Sequence, residues 1–295
     1  MSAKDKINPF CGKLLFKGLT IVLLATIIAC SGGKKEAVSP AGKTEAGNSV
    51  GKVESESSGG SAKEAVSGGK EAQSKSGGKP VVAPASDFKY DLTRDGEGVQ
   101  LNEYIGKGGD IIVPSEIEGM PVVQLGRAVF AQCRNLTSVV LPDTITIDQD
   151  GIAEAMFMSC KNLRSVTLPN DTWIIPNRWF SMCSSLASIT IPDIVEVIDQ
   201  SAFADSGLTS IVLPEGVGYI LSEAFNSCKN LKSVTLPESI ERISVRAFAG
   251  CENLETFNIP SKKIRIDDDA FLGCTKLSLA TRKAIQDAGY RDRFN

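Results

Sequence analysis

Apolar residues in the last two thirds of the chain recur with a long period that neither an isolated helix nor an isolated strand would produce. Phe130, Phe157, Phe180, Phe203, Phe225, Phe248 and Phe271 follow one another at gaps of 27, 23, 23, 22, 23 and 23 residues. Each opens the phrase Phe-x-x-Cys-x-x-Leu-x-x-Val-x-Leu-Pro, seen without deviation as Phe157, Cys160, Leu163, Val166, Leu168, Pro169 and again as Phe225, Cys228, Leu231, Val234, Leu236, Pro237. A period of 20 to 30 residues implies a solenoid, in which no unit buries its own apolar face and each unit covers the next.

Within the phrase, Leu-x-x-Val-x-Leu alternates with period two, which predicts a short strand. Val166 and Leu168 then point to one face, and Ser165 and Thr167 to the other. The proline ends the strand. A second apolar pair follows, such as Val195 and Ile198 or Ile240 and Ile243, before the chain returns to the next phenylalanine. Each turn is expected to give one strand to a parallel sheet and an irregular return segment to the opposite side.

The phrase resembles the leucine-rich repeat, and specifically the 23-residue repeat of BspA-like bacterial surface proteins. Pro142, Pro169, Pro192, Pro214, Pro237 and Pro260 and six of seven cysteine positions fall in register, over about Phe88 to Asn295. The resemblance implies an α/β solenoid with its parallel β-sheet on the concave face. It also implies an N-terminal β cap, carried by Phe88 to Leu92 and by Gly108 to Pro114, in which Val113-Pro114 stands as a degenerate first strand. At the far end Ser278 can cap a helix through Leu279, Ala284, Ile285 and Ala288, and Gly289 can stop it. The array is thus expected to be capped at both ends.

The first residues carry an address. Lys4, Lys6, Lys13 and Lys17 precede an apolar run from Leu19 to Ala29, too short for a permanent membrane span and of signal-peptide form. Ile27-Ile28-Ala29-Cys30-Ser31-Gly32-Gly33 resembles a bacterial lipobox, departing from the strict form at Ile27. The resemblance implies that the Cys30 sulfur takes a diacylglycerol, with residues 1–29 as the leader. It also implies a lipid-anchored location at the outer membrane or cell surface, and Ser31 lacks the aspartate that retains some lipoproteins. The alternative is a leader with an incidental cysteine. Residues 30–87 complete the anchor and are rich in Gly, Ser, Lys, Glu and Ala, which predicts an unstructured tether about 40 Å in root-mean-square span. The repeat domain is expected over 88–295.

The chain has a net charge of -3, but residues 88–295 hold 20 Lys and Arg against 27 Asp and Glu. An acidic domain argues against nucleic acid and against anionic membrane surfaces as ligands, leaving the N-terminal lipid as the membrane contact. Asp267-Asp268-Asp269 lacks the spaced ligands of a calcium loop and reads as a solvated turn. Cys133, Cys160, Cys183, Cys228, Cys251 and Cys274 occupy one repeat column, with Ser206 where it breaks, and read as small buried residues, not as disulfides or metal ligands. Asn135, Asn162, Asn230 and Asn253 form a second column, suited to bonding backbone groups at the bends.

With no histidine in the chain and no phosphate-binding or nucleotide motif, nothing points to an enzyme, a cofactor or a small-molecule substrate. The candidate chemistry lies on the outward strand positions: Ser138 and Val140, Ser165 and Thr167, Ser188 and Thr190, Ser210 and Val212, Ser233 and Thr235, Thr256 and Asn258. Their neighbours Arg164, Ala187, Lys232 and Glu255 are less constrained by the fold and are candidates for specificity. Ser and Thr also suit crowded strands without any ligand, so a purely architectural role stands beside the binding one. On the return side Trp179 takes a position held by alanine in later units and is expected in the core. Trp173 is either core packing or an exposed aromatic anchor.

Two functional classes follow. The resemblance implies a surface adhesin that binds host matrix or plasma proteins such as fibronectin and fibrinogen, or neighbouring cells, through the repeat face. A periplasmic scaffolding lipoprotein would carry the same tether and anchor.

Overall fold

In the computed structural model the described residues are 79–147, 153–260 and 262–294. The leader, Cys30 and most of the expected tether lie outside them, as does the whole of the segment Met1–Lys70. Glu71–Asn295 forms one compact unit that contains every described core residue. It therefore carries its own folding determinants.

Six strands lead in: β1 (Val81–Val82), β2 (Phe88–Leu92), β3 (Val99–Tyr104), β4 (Gly109–Ile112), β5 (Glu116–Ile117) and β6 (Met120–Leu125). The repeats add β7 (Leu136–Val140), β8 (Ser165–Thr167), β9 (Ile174–Ile175), β10 (Val197–Ile198), β11 (Ser210–Val212), β12 (Tyr219–Ile220), β13 (Ser233–Thr235), β14 (Arg242–Ile243), β15 (Thr256–Asn258) and β16 (Arg265–Ile266). Helix α1 (Leu279–Ala288) follows.

The repeat strands pair in parallel as β1-β4-β7-β8 and as β11-β13-β15. The expected degenerate first strand is real, since β4 sets Ile111 beside Val139 and Ile112 beside Val140. The expectation of an unstructured tether over residues 30–87 fails at its described end, because β1 continues the same sheet, Val81 pairing with Ile111, and Ala83 is buried. The return segments are not irregular. They form a second parallel sheet in the order β16-β14-β12-β10-β9, two residues per strand, with Ile175, Ile198, Ile220 and Ile243 facing the core. Among the described residues the repeats hold no α-helix, so the coil is built from two ladders of strands and a turn.

The turn carries the phenylalanines. From Phe130 to Phe271 successive rings stack with centroids 5.0 to 5.6 Å apart and planes within 2° to 13° of parallel. All seven are fully buried. The spacing slightly exceeds the strand separation of about 4.8 Å, which offsets each ring from the next in the geometry its quadrupole favours. Around them runs a third inter-unit ladder. The N–H groups of Ala155, Phe157 and Ser159 donate to the carbonyls of Asn177, Trp179 and Ser181 at 2.9, 2.9 and 2.8 Å, and later units repeat this pattern.

That ladder needs two left-handed residues per unit. Two residues before each phenylalanine φ is 54° to 60°, and two residues after it φ is 56° to 80°. Only Gly250 and Gly273 meet the requirement with glycine; the other positions hold residues such as Ala155, Arg178, Glu223 and Met182. Left-handed backbone costs a residue with a Cβ about 1 to 2 kcal/mol. The main-chain bonds and the ring stack offset that cost.

At the N-terminal end Tyr104 lies 5.3 Å from Phe130 and Phe88 meets the same ring edge-on at 6.2 Å. At the other end Tyr290 meets Phe271 edge-on at 5.3 Å, and Gly273 N–H donates to the Phe294 carbonyl at 3.0 Å. Helix α1 has the termini expected of it: Ser278 Oγ accepts from Thr281 N–H at 3.1 Å, and Gly289 takes φ 137°. Its apolar face is narrower than expected, since Ile285 and Ala288 are buried while Leu279 is 86% exposed.

Candidate interaction surface

On the strand side the inward residues Val139, Val166, Ile211, Val234 and Phe257 are buried. Their neighbours on either side must therefore face out. Register places Ser138 beside Ser165, and Ser210 beside Ser233 and then Thr256. The second outward column sets Val140 beside Thr167, and Val212 beside Thr235 and Asn258. Ser138, Val140, Ser233 and Thr235 are half-buried, while Ser165, Thr167, Ser210, Val212, Thr256 and Asn258 are exposed, as are the flanking Arg164, Lys232 and Glu255. None of the twelve outward residues bears a charge.

The sheet is not continuous. Ser188 and Thr190 are exposed as expected, but the segment around them is not a strand, and their inward neighbour Ile189 is only half-buried. The next unit is also irregular. Between Phe203 and Leu208 the chain is one residue shorter than in the other units, and Gly207 sits hard against the previous bend. A Cβ at Gly207 would lie 2.1 Å from the Ser184 carbonyl oxygen, a contact only glycine allows. Next to this bend the link between the two units is made by Thr209, whose N–H donates to the Ala187 carbonyl at 2.9 Å, and no strand ladder forms over Ser188 to Thr190.

The cysteine column explains itself in three dimensions. The thiols of Cys160, Cys183, Cys228, Cys251 and Cys274 donate to the carbonyls of Phe130, Phe157, Phe203, Phe225 and Phe248 at 2.8 to 3.2 Å. Four of those carbonyls also accept the Cys N–H of their own unit, as Phe157 does from Cys160 at 3.0 Å, and Phe203 accepts the Ser206 N–H at 3.0 Å instead. The cysteines thus sit in the bends and tie each unit to the preceding one, with all six unpaired as thiols. Burial pushes the Cys160 thiol up to about 12, and Cys183 is raised for the same reason. Cys133 is half-buried, and its thiol is raised by burial as well. Two members of the asparagine column bond carbonyls at the bends: Asn162 to Arg134 and Asn253 to Lys229, both at 2.6 Å.

On the return side Trp179 is buried and edge-on to Phe157 and Phe180, its indole N–H on the Ala153 carbonyl. Trp173 is half-buried against the core, and its N–H donates to the Ile147 carbonyl at 2.5 Å. In the Asp267 to Asp269 run, Asp268 and Asp269 lie in a turn and Asp268 is exposed as expected, but Asp267 departs from the expectation of a solvated residue. Asp267 is half-buried and engaged by Arg242 and Arg265, and Asp269 pairs with Arg246 at 3.8 Å. Among the described residues no cluster of ligating side chains could hold a metal ion, and no helix is long and apolar enough to cross a membrane.

A parallel coil with a leucine-bearing strand, a proline stop and a stacked bend in every unit defines a leucine-rich-repeat solenoid. The family model of the BspA type leucine rich repeat region matches six copies over residues 115–151 and 150–278, and the chain belongs to that family. It is similar to the leucine-rich repeat protein of T. pallidum, with 34% identity and a TM-score of 0.67 over 72% of this chain and 98% of that one. It is also similar to a leucine-rich repeat protein from Bacteroides ovatus, with 26% identity and a TM-score of 0.53 over 63% of this chain and 55% of that one. A comparison with curated proteins gives no match. Solenoids of this kind generally serve as protein-interaction surfaces rather than as enzymes, and BspA-like members are often bacterial surface proteins.

Proposed function

We propose that the chain is a lipid-anchored surface protein that binds other proteins through its strand face, acting as an adhesin toward host matrix or plasma proteins or toward neighbouring cells. One observation carries the reading: an uncharged, hydroxyl-rich and largely exposed face runs along the unit, and three backbone ladders fix its shape. A face that does not reorganise loses little conformational entropy when a partner docks. In the same reading the lead-in strands and helix α1 serve as caps, since Phe88 and Tyr104 cover one end of the ring stack and Tyr290 and Phe294 the other. The Cys30 sulfur carries the lipid, and the segment up to about residue 80 tethers the array.

The test is direct. The fragment Glu71–Asn295 should bind immobilised fibronectin or fibrinogen and compete with attachment of whole cells, and protease treatment of intact cells should remove the repeat unit. A fragment that binds neither protein, together with protection from protease in intact cells, would favour the periplasmic scaffold. Cys30→Ser should abolish labelling by radioactive palmitate and release the protein from the detergent phase, because stable retention needs more than one acyl chain. Persistent labelling would remove the anchor from this account.

A further inference from the structure

The two borders of the strand face carry opposite charge. On the border where the strands begin, five exposed cations stand in three of the units, Arg134, then Lys161 with Arg164, then Lys229 with Lys232, while the units opened by Phe180 and Phe203 hold none there. On the border where they end, after the prolines, stand five exposed carboxylates: Asp143, Asp171, Asp193, Glu215 and Glu238. In the last unit the order inverts, with Glu252 and Glu255 at the strand start and Lys262 and Lys263 after the strand end. The middle of the face is neutral from Ser138 to Asn258, and Asp110 of β4 stands beside Ser138 at its N-terminal end.

This pattern is self-complementary under one symmetry operation. A two-fold axis parallel to the solenoid axis would lay a second strand face over the first with strands antiparallel and units in register. Every strand-start border then lies over the strand-end border of the same unit in the other copy. Lys161 and Arg164 meet Asp171, Lys232 meets Glu238, and in the inverted unit Glu252 and Glu255 meet Lys262 and Lys263. A two-fold axis along the strands would instead reverse the order of the units and lay like charge over like in the inner ones, Lys161 and Arg164 over Lys229 and Lys232. Among the described residues Arg164, Asp171 and Lys232 make no ion pair within the chain, whereas Lys229 already meets Glu252 of the next unit at 3.4 Å.

We propose that the strand face pairs with the strand face of a second copy of this chain, in register and with strands antiparallel, steered by the two charged borders. The inference rests on the reading that this face is the binding surface, and it names the partner. Seven turns at about 4.8 Å by a strand width of roughly 15 Å give about 500 Å² per copy and about 1,000 Å² in total, the size of a transient encounter. Copies crowded on a membrane, or on two apposed cells, would populate such an interface where dilute protein would not. Oppositely charged borders fix register and orientation more than they add affinity.

Sedimentation of Glu71–Asn295 over a concentration series tests this. The wild-type fragment should dimerise, and raising NaCl from about 50 to about 500 mM should weaken the dimer, since the borders are exposed to screening. Arg164→Glu with Lys232→Glu sets acid opposite Asp171 and Glu238, and Asp171→Lys with Glu238→Lys sets base opposite Arg164 and Lys232. Each pair should weaken self-association at least tenfold, and an equimolar mixture of the two should restore it as a heterodimer. Unchanged melting temperatures would show that the variants fold. A wild-type fragment that stays monomeric at several hundred micromolar, a dimer indifferent to either pair, or a mixture that fails to reassociate would each overturn the proposal. Binding to fibronectin or fibrinogen, measured on the same samples, separates this outcome from failure of the broader reading.

Discussion

Phe225 stacks between Phe203 and Phe248 at 5.2 and 5.0 Å and leaves no surface to solvent. Phe225→Ala should cost about 3 to 5 kcal/mol in chemical denaturation, the usual loss for a buried aromatic. Ser233→Ala on the outward face should stay within about 0.5 kcal/mol. Equal losses in the two variants would mean that the coil has been phased wrongly. The thiols give a second test at this scale. Five cysteines are buried and bonded to phenylalanine carbonyls, and the rise in the Cys160 thiol to about 12 leaves almost no thiolate at neutral pH. They should resist alkylation until the protein unfolds, with half-buried Cys133 modified first, as mass spectrometry after timed labelling would show. Rapid labelling of all six, or stoichiometric disulfides between units, would contradict the bonding. The column itself is visible in the sequence because its phase is fixed relative to phenylalanine. Its partner is not, because the accepting carbonyl belongs to the preceding unit.

Periodicity made the repeat strands legible as elements, and capping chemistry did the same for the helix from Leu279 to Ala288. The return sheet was not legible, since two residues per strand leave no alternation to read. Nor were the left-handed positions, which rarely hold the glycine that would announce them. Two elements defeat pattern reading for a different reason. Val81–Val82 sits in a segment whose composition points to a tether, and it becomes a strand only because β4 offers it an edge. The break at Ser188 and Thr190 precedes a unit that is one residue shorter at its bend, and Gly207 is the residue that permits the close approach there. Gly207→Ala should therefore destabilise by more than about 1 kcal/mol, because its Cβ would strike backbone rather than a movable side chain. At Gly218, where the nearest atom to an added Cβ is 3.9 Å away, the same change should be neutral or slightly stabilising. Thermal melts of the two variants that coincide would contradict the close approach at Gly207.

At the scale of the molecule, the sequence and the structure agree on a repeat solenoid with two unlike sides. The strand side presents uncharged residues between charged borders, and the return side presents charge, as in Tyr219 bonded to Glu241 at 2.5 Å and Arg242 held by Asp267. The outward strand residues could be named from the sequence because period-two alternation assigns faces. Whether Trp173 is an anchor could not, because its indole N–H bonds a carbonyl 26 residues earlier in the chain. The central claim is that the strand face is where partners dock. Its most direct test compares partner binding by Glu71–Asn295 carrying Thr190→Arg with Thr235→Glu against the same fragment carrying Glu241→Lys on the return side. The account predicts that the strand-face pair abolishes binding to matrix or cell-surface protein with the melting temperature nearly unchanged, while the return-side variant binds as the wild type does. Binding that survives the strand-face pair, and is lost instead in Trp173→Ala, would contradict it and move the site to the return side.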